Sequence, residues 1–123
     1  QKSNASNADL HLAIHSNAAP EELAGQLRGT DVYYYTGSAE GARAADIFAN
    51  NFSLISPTPQ LVDVIPTTRL AELRRTAAPA VLIEIAYHDN PDDANWIRGN
   101  IRDIARNLSV SVADYFGVPF RQA

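Results

Sequence analysis

Glu84 lies inside Ala80-Val81-Leu82-Ile83-Glu84-Ile85-Ala86-Tyr87, an apolar run in which a carboxylate is out of place. Burying an unpaired carboxylate is costly, and the group answers by raising its pKa. A raised pKa suits a general acid or base working near neutrality. The alternative without chemistry is a structural carboxylate paired with Arg69, Arg74 or Arg75. His15 closes a short apolar alternation and precedes the small polar turn Ser16-Asn17-Ala18. Ligands collect at the carboxyl ends of strands in an open parallel sheet, so an imidazole there is placed to bind a metal. Taken alone His15 has no ligand spacing, and a catalytic zinc needs several protein ligands plus an open position for water. His88 follows the Glu84 run, beside Asp89 and Asn90, where it would line a cleft at the strand end. His11, between Leu10 and Leu12, reads as a core or face residue. Cysteine is absent, so any metal must sit on His, Asp or Glu. No His-Glu-x-x-His, Gly-x-Ser-x-Gly or glycine-rich phosphate loop occurs, which removes support for helix zincins, α/β hydrolases and P-loop enzymes.

Something must hold these groups, and the composition allows it: 123 residues, 46% hydrophobic and 20% charged, suit one domain with an ordinary core. The formal net charge of −4 and the scattered arginines give no footprint for a phosphate backbone, so nucleic acid is not an expected partner. No apolar span is long enough to suggest a transmembrane segment. The chain opens at Gln1 and contains no methionine, so further sequence upstream is expected.

The elements follow from periodicity. Leu10, Leu12 and Ile14 alternate as a strand, and Glu21 to Arg28 reads as a helical turn closed by Gly29. Val32 to Tyr35 is a second strand. Ser38 as N-cap, with Ala42, Ala45, Phe48, Ala49 and Phe52 at helical spacing, predicts a helix over Ala39 to Phe52. Pro57, Pro59 and Pro66 make Ser53 to Pro66 a surface loop with at most a short strand. Leu70 to Arg75 fits either strand or helix. Ala80 to Tyr87 reads as a strand buried on both faces of a parallel sheet. Asn90 as N-cap and Pro91 at the first helical position open one long helix, with Ala94, Ile97, Ile101, Ile104, Leu108, Val112 and Tyr115 as its stripe, until Gly117 and Pro119. The pattern predicts an α/β fold, a mainly parallel sheet flanked by helices on both faces.

Asp9-Leu10-His11-Leu12-Ala13-Ile14-His15-Ser16-Asn17-Ala18 resembles the strand-and-turn motif of type 3 N-acetylmuramoyl-L-alanine amidases, and Pro79 to Tyr87 with Asp89-Asn90-Pro91 resembles that family's second motif. Val32 to Tyr35, the helix opening at Ser38, Leu70 to Arg74 and Tyr115-Phe116-Gly117 extend the likeness over essentially the whole chain. The resemblance implies that His15 is a zinc ligand and Glu84 the catalytic residue, with Asn17 and His88 as candidate substrate contacts. It implies Zn2+ as cofactor, peptidoglycan as substrate, hydrolysis of the amide between N-acetylmuramic acid and L-alanine, and action outside the cell or in the cell wall. It also makes residues 1–123 the C-terminal part of a single catalytic domain. The family's initial strand with a histidine-bearing glycine-rich turn, and the following helix with a zinc-binding glutamate, have no counterpart here. On that reading the fold is incomplete at its N-terminus, the chain alone is inactive, and its first strand offers an open edge for self-association. The rival expectation is a non-catalytic fragment or degenerate module that binds peptidoglycan or a partner.

Overall fold

A computed structural model describes residues 2–121. In chain order it forms α1 (Lys2–Ala5), β1 (His11–Asn17), β2 (Thr30–Tyr35), α2 (Ala39–Phe52), β3 (Val62–Thr67), α3 (Ala71–Arg74), β4 (Ala80–Tyr87), α4 (Pro91–Gly99) and α5 (Ile101–Phe116), with short 3-10 turns at Glu21–Leu23 and Pro59–Leu61. The strands make one sheet in the order β1-β4-β2-β3.

β1 runs parallel to β4 and β2 parallel to β3, but β2 and β4 are antiparallel. The sheet is therefore mainly parallel, as expected, but mixed, with β4 parallel to β1 on one side and antiparallel to β2 on the other. Helices do cover both faces, unequally. One face carries α2 and α5, whose Phe48, Phe52, Ile104, Leu108 and Tyr115 pack on Val32, Val81 and Ile83. Phe48 and Phe52 are fully buried, each contributing about 1.5–3 kcal/mol of transfer free energy. The other face carries α3, through a small cluster of Leu73 with Ala13, Ala80 and Leu82.

Local signals explain the well-formed ends. Ser38 accepts from the Gly41 amide at 2.9 Å, and Asn90 accepts from the amides of Asp92 and Asp93 at 3.0 and 3.1 Å. These are N-caps that satisfy otherwise orphaned helix donors. The long terminal helix divides in two. Asn100 leaves helical geometry at φ −133°, ψ 24°, and its side chain donates to the Trp96 carbonyl at 2.8 Å, capping α4 before α5 begins. Ser53 to Leu61 is loop and turn, as expected, but the strand that follows is a six-residue one that runs through Pro66, Val62–Thr67. Pro66 is tolerated because β3 is an edge strand. The helical turn expected within Glu21 to Arg28 is a single 3-10 turn over Glu21–Leu23.

Candidate functional site

The register brings ionisable residues into one row. His15 lies opposite Glu84 across the β1–β4 pair, Glu84 opposite Asp31 across β4–β2, and Asp31 opposite Asp63 across β2–β3. Residues at alternate positions share a face, so the row stands on the α3 side, in line with Ala13, Leu82 and Tyr33. Antiparallel pairing is what puts Asp31, near the start of β2, beside Glu84, in the middle of β4.

Glu84 is half-buried, and its Oε2 is buried with no hydrogen-bond partner. Burial pushes its pKa up, Asp31 adds to the rise, and His15 and His88 oppose it. The arginine alternative is not realised: the ion pairs among the described residues join His11 and His15 to Glu72, Arg28 to Asp93, and Arg43 to Glu40. Asp31 is raised as well, first by burial and then by Asp63, against a lowering hydrogen bond from Tyr33. Burial, followed by the negative charges of Asp31 and Glu84, raises the phenols of Tyr33 and Tyr87.

Asn17 and His88 lie at the end of the same strands. The Asn17 side chain donates to Asp31 Oδ2 at 3.4 Å and accepts from the Ala18 amide at 2.9 Å, so it ties the turn to the row. Ser16 Oγ and His88 Nδ1 are 2.7 Å apart, and the His88 amide donates to the Asn17 carbonyl at 2.8 Å. Ser16 and His88, but not Asn17, border a groove of about 350 Å³ together with Ile14, His15, Ile97 and Arg98.

The loop after this turn is clamped from below. Asp89 accepts from the amides of Ala19 and Gly25 at 3.3 and 2.9 Å. Asp93, 1% exposed, accepts from Arg28 Nε at 2.7 Å and from the amides of Gly29 and Tyr87 at 3.1 and 3.0 Å. Gly29 is required there: its φ is +119°, and a Cβ would come within 2.6 Å of the Leu61 carbonyl oxygen.

An imidazole with carboxylates on either side is a donor set of the kind zinc accepts. Among the described residues, however, no group of three or more His, Cys, Asp or Glu could hold a metal. Sequence reasoning had singled out neither Asp31 nor Glu72 as a site residue. The first had a signal in the alternation Asp31, Tyr33, Tyr35 on one strand face; the second depends on a long-range contact.

The family model described as N-acetylmuramoyl-L-alanine amidase matches residues 1–114. An uncharacterised protein of Clostridium perfringens is 31% identical over 111 residues, 88% of this chain and 32% of that protein. The catalytic domain of the CD27L endolysin targeting Clostridia difficile superposes with TM-score 0.77 at 24% identity, covering 98% of this chain and 61% of that one. The catalytic domain of CwlV, an N-acetylmuramoyl-L-alanine amidase from Bacillus (Paenibacillus) polymyxa, gives 0.78 at 22% identity, covering 96% and 63%. This chain thus spans about a third of its curated relative and about three fifths of those two solved domains.

Proposed function

This chain belongs to the N-acetylmuramoyl-L-alanine amidase family, and from that premise we propose that the whole protein is a zinc-dependent peptidoglycan hydrolase that cleaves the amide between N-acetylmuramic acid and L-alanine. Supporting this reading is one juxtaposition: His15 and Glu84 are direct cross-strand neighbours, and the Glu84 carboxylate has an oxygen without a partner. His15 would hold the zinc together with ligands from outside these residues. Zinc, when bound, polarises the scissile carbonyl and acidifies water. Glu84 takes the proton of the attacking water and returns it to the leaving amine, a role its raised pKa favours. Its substrate would place the protein outside the cell or in the wall, and no helix of the described residues is long and apolar enough to cross a membrane.

The test uses the complete protein on purified peptidoglycan, scoring new L-alanine amino termini against new reducing sugars. Glu84→Gln should keep zinc and lose about 10²–10⁴ in rate; undiminished turnover would remove Glu84 from the mechanism. His15→Ala should lower zinc content, and unchanged zinc would remove His15 as a ligand. A second reading, a non-catalytic peptidoglycan-binding or interaction module, draws on the lack, among the described residues, of a group of three such side chains that could hold a metal. It predicts binding to peptidoglycan without bond cleavage.

A further inference from the structure

The segment that joins β3 to β4 carries α3 across the sheet face on which the Glu84 row stands. Both of its ends are fixed: the Thr36 amide donates to the Thr67 carbonyl at 3.1 Å, and the His11 amide to the Pro79 carbonyl at 2.9 Å. Of residues 68–79, Leu73 alone is buried. Its side chain covers Ala13, Ala80 and Leu82, with Tyr33 packed alongside. The hydrogen bonds of the turn are largely internal. The Leu73 and Arg74 amides donate to the Leu70 carbonyl at 3.1 and 3.0 Å, the Arg75 amide donates to the Ala71 carbonyl at 2.9 Å, and the Thr76 hydroxyl donates to the Glu72 carbonyl. Such bonds travel with the segment and do not tie it to the sheet.

Polar latches hold it from outside. Glu72 Oε1 lies 3.2 Å from His11 Nε2, and the Asn4 side chain donates to the Arg75 carbonyl at 2.9 Å and accepts from the Ala77 amide at 2.7 Å. Water replaces both latches as they break, since the Asn4 bonds are exposed and the Glu72 side chain is 40% accessible. Beside the segment lies a hollow of about 330 Å³ bordered by Tyr35, Ser38, Leu73, Thr76, Ala78 and Ala80. Close-packed interiors hold few such spaces, so the segment can turn without forcing packed side chains apart. One buried leucine, internal bonds and replaceable latches mark a unit whose opening costs less than global unfolding. Ala13 and Leu82 stand two residues before His15 and Glu84 on the same strand face, so the area that Leu73 covers adjoins the row.

We propose that residues 68–78 form a strap that swings open as a unit and uncovers an apolar bed of Ala13, Leu82 and Tyr33 beside Glu84 for the substrate. The role of the bed rests on the reading of the Glu84 row as the place of cleavage.

The experiment follows thiol labelling of Ala13→Cys in the complete protein, with the label mapped to position 13 by peptide mass; residues 1–123 contain no cysteine of their own. Below the unfolding midpoint the labelling rate should be nearly flat in urea, because a local opening exposes little surface. Leu73→Ala should speed labelling about 30-fold or more, and Asn4→Ala about 2–10-fold. Phe52→Leu, in the core of the opposite face, should lower the urea midpoint and leave the labelling rate as it was. Should Ala13→Cys fail to fold, Ala80→Cys reports on the same cluster. A soluble disaccharide-peptide fragment of peptidoglycan, added to the Glu84→Gln form, should suppress labelling as its concentration rises. Labelling that accelerates with Phe52→Leu and climbs steeply with urea would overturn the strap. Labelling flat in urea but indifferent to the fragment would overturn its role in the cleft. A fragment that suppresses labelling yet is left uncut by the wild type would count against the cleavage reading alone.

Discussion

Replacing Asp93 with alanine should destabilise the protein by about 3–5 kcal/mol, the range for breaking a buried ion pair from one side. Asp93 is 1% exposed and serves three donors. Its Oδ1 takes the Arg28 Nε at 2.7 Å, and its Oδ2 takes the amides of Gly29 and Tyr87 at 3.1 and 3.0 Å. The guanidinium loses least, because the Arg28 side chain is 28% exposed and regains water. The two amides have less recourse, and each orphaned buried donor costs about 1–3 kcal/mol. Against a total stability of about 5–15 kcal/mol for a domain, the loss should appear as a large drop in urea midpoint at unchanged slope. Asp93→Asn keeps one accepting oxygen and should cost less than half as much. Hydrogen exchange at Gly29 and Tyr87 should accelerate in both variants. A loss below about 1 kcal/mol for Asp93→Ala would refute the view that this carboxylate clamps the loop.

Glu84→Gln should raise stability at neutral pH. The folded pKa of Glu84 lies above its ordinary value of 4.5, so its protonated form is favoured on folding. That contribution is full below about 4.5 and is lost as pH rises through the folded pKa. The gap between variant and wild type in urea unfolding should therefore widen on going from pH 4 to pH 7, and a gap constant with pH would contradict the assignment. Gly29→Ala should cost more than about 2 kcal/mol, since it combines a forbidden φ with a clash against backbone; thermal unfolding indistinguishable from wild type would contradict the required glycine.

Much of this fold is legible in local chemistry. Ser38 and Asn90 are capping residues whose hydrogen bonds act within a few positions, so both helix starts fall where the sequence puts them. Glu84 and His15 are conspicuous because a charged or ionisable group interrupts apolar strand patterns. What stayed hidden depends on distant partners. The direction of β2 against β4 is set by which strands meet, and with it goes the pairing of Asp31 with Glu84. β3 was obscured because Pro66 is acceptable only at an edge, and edge position is a property of the sheet. The division at Asn100 needed its side chain to find the Trp96 carbonyl, although the Gly99-Asn100 pair was a readable breaker. The His11–Glu72 contact joins residues that are remote in sequence and carry no mutual periodicity.

The sheet order also bears on how the chain reaches its native state. β1 and β2 are synthesised early but are not neighbours; β4, much later in the chain, slots between them and bonds to both. Until Ala80 to Tyr87 arrives, β1 has no strand partner among the described residues, and β2 has only β3. Such long-range closure must overcome chain entropy before its contacts repay it, which slows the rate-limiting step. An emerging chain that has not yet delivered Ala80 to Tyr87 therefore has its strand edges open to wrong partners, and the same late insertion that seals those edges brings Glu84 between His15 and Asp31.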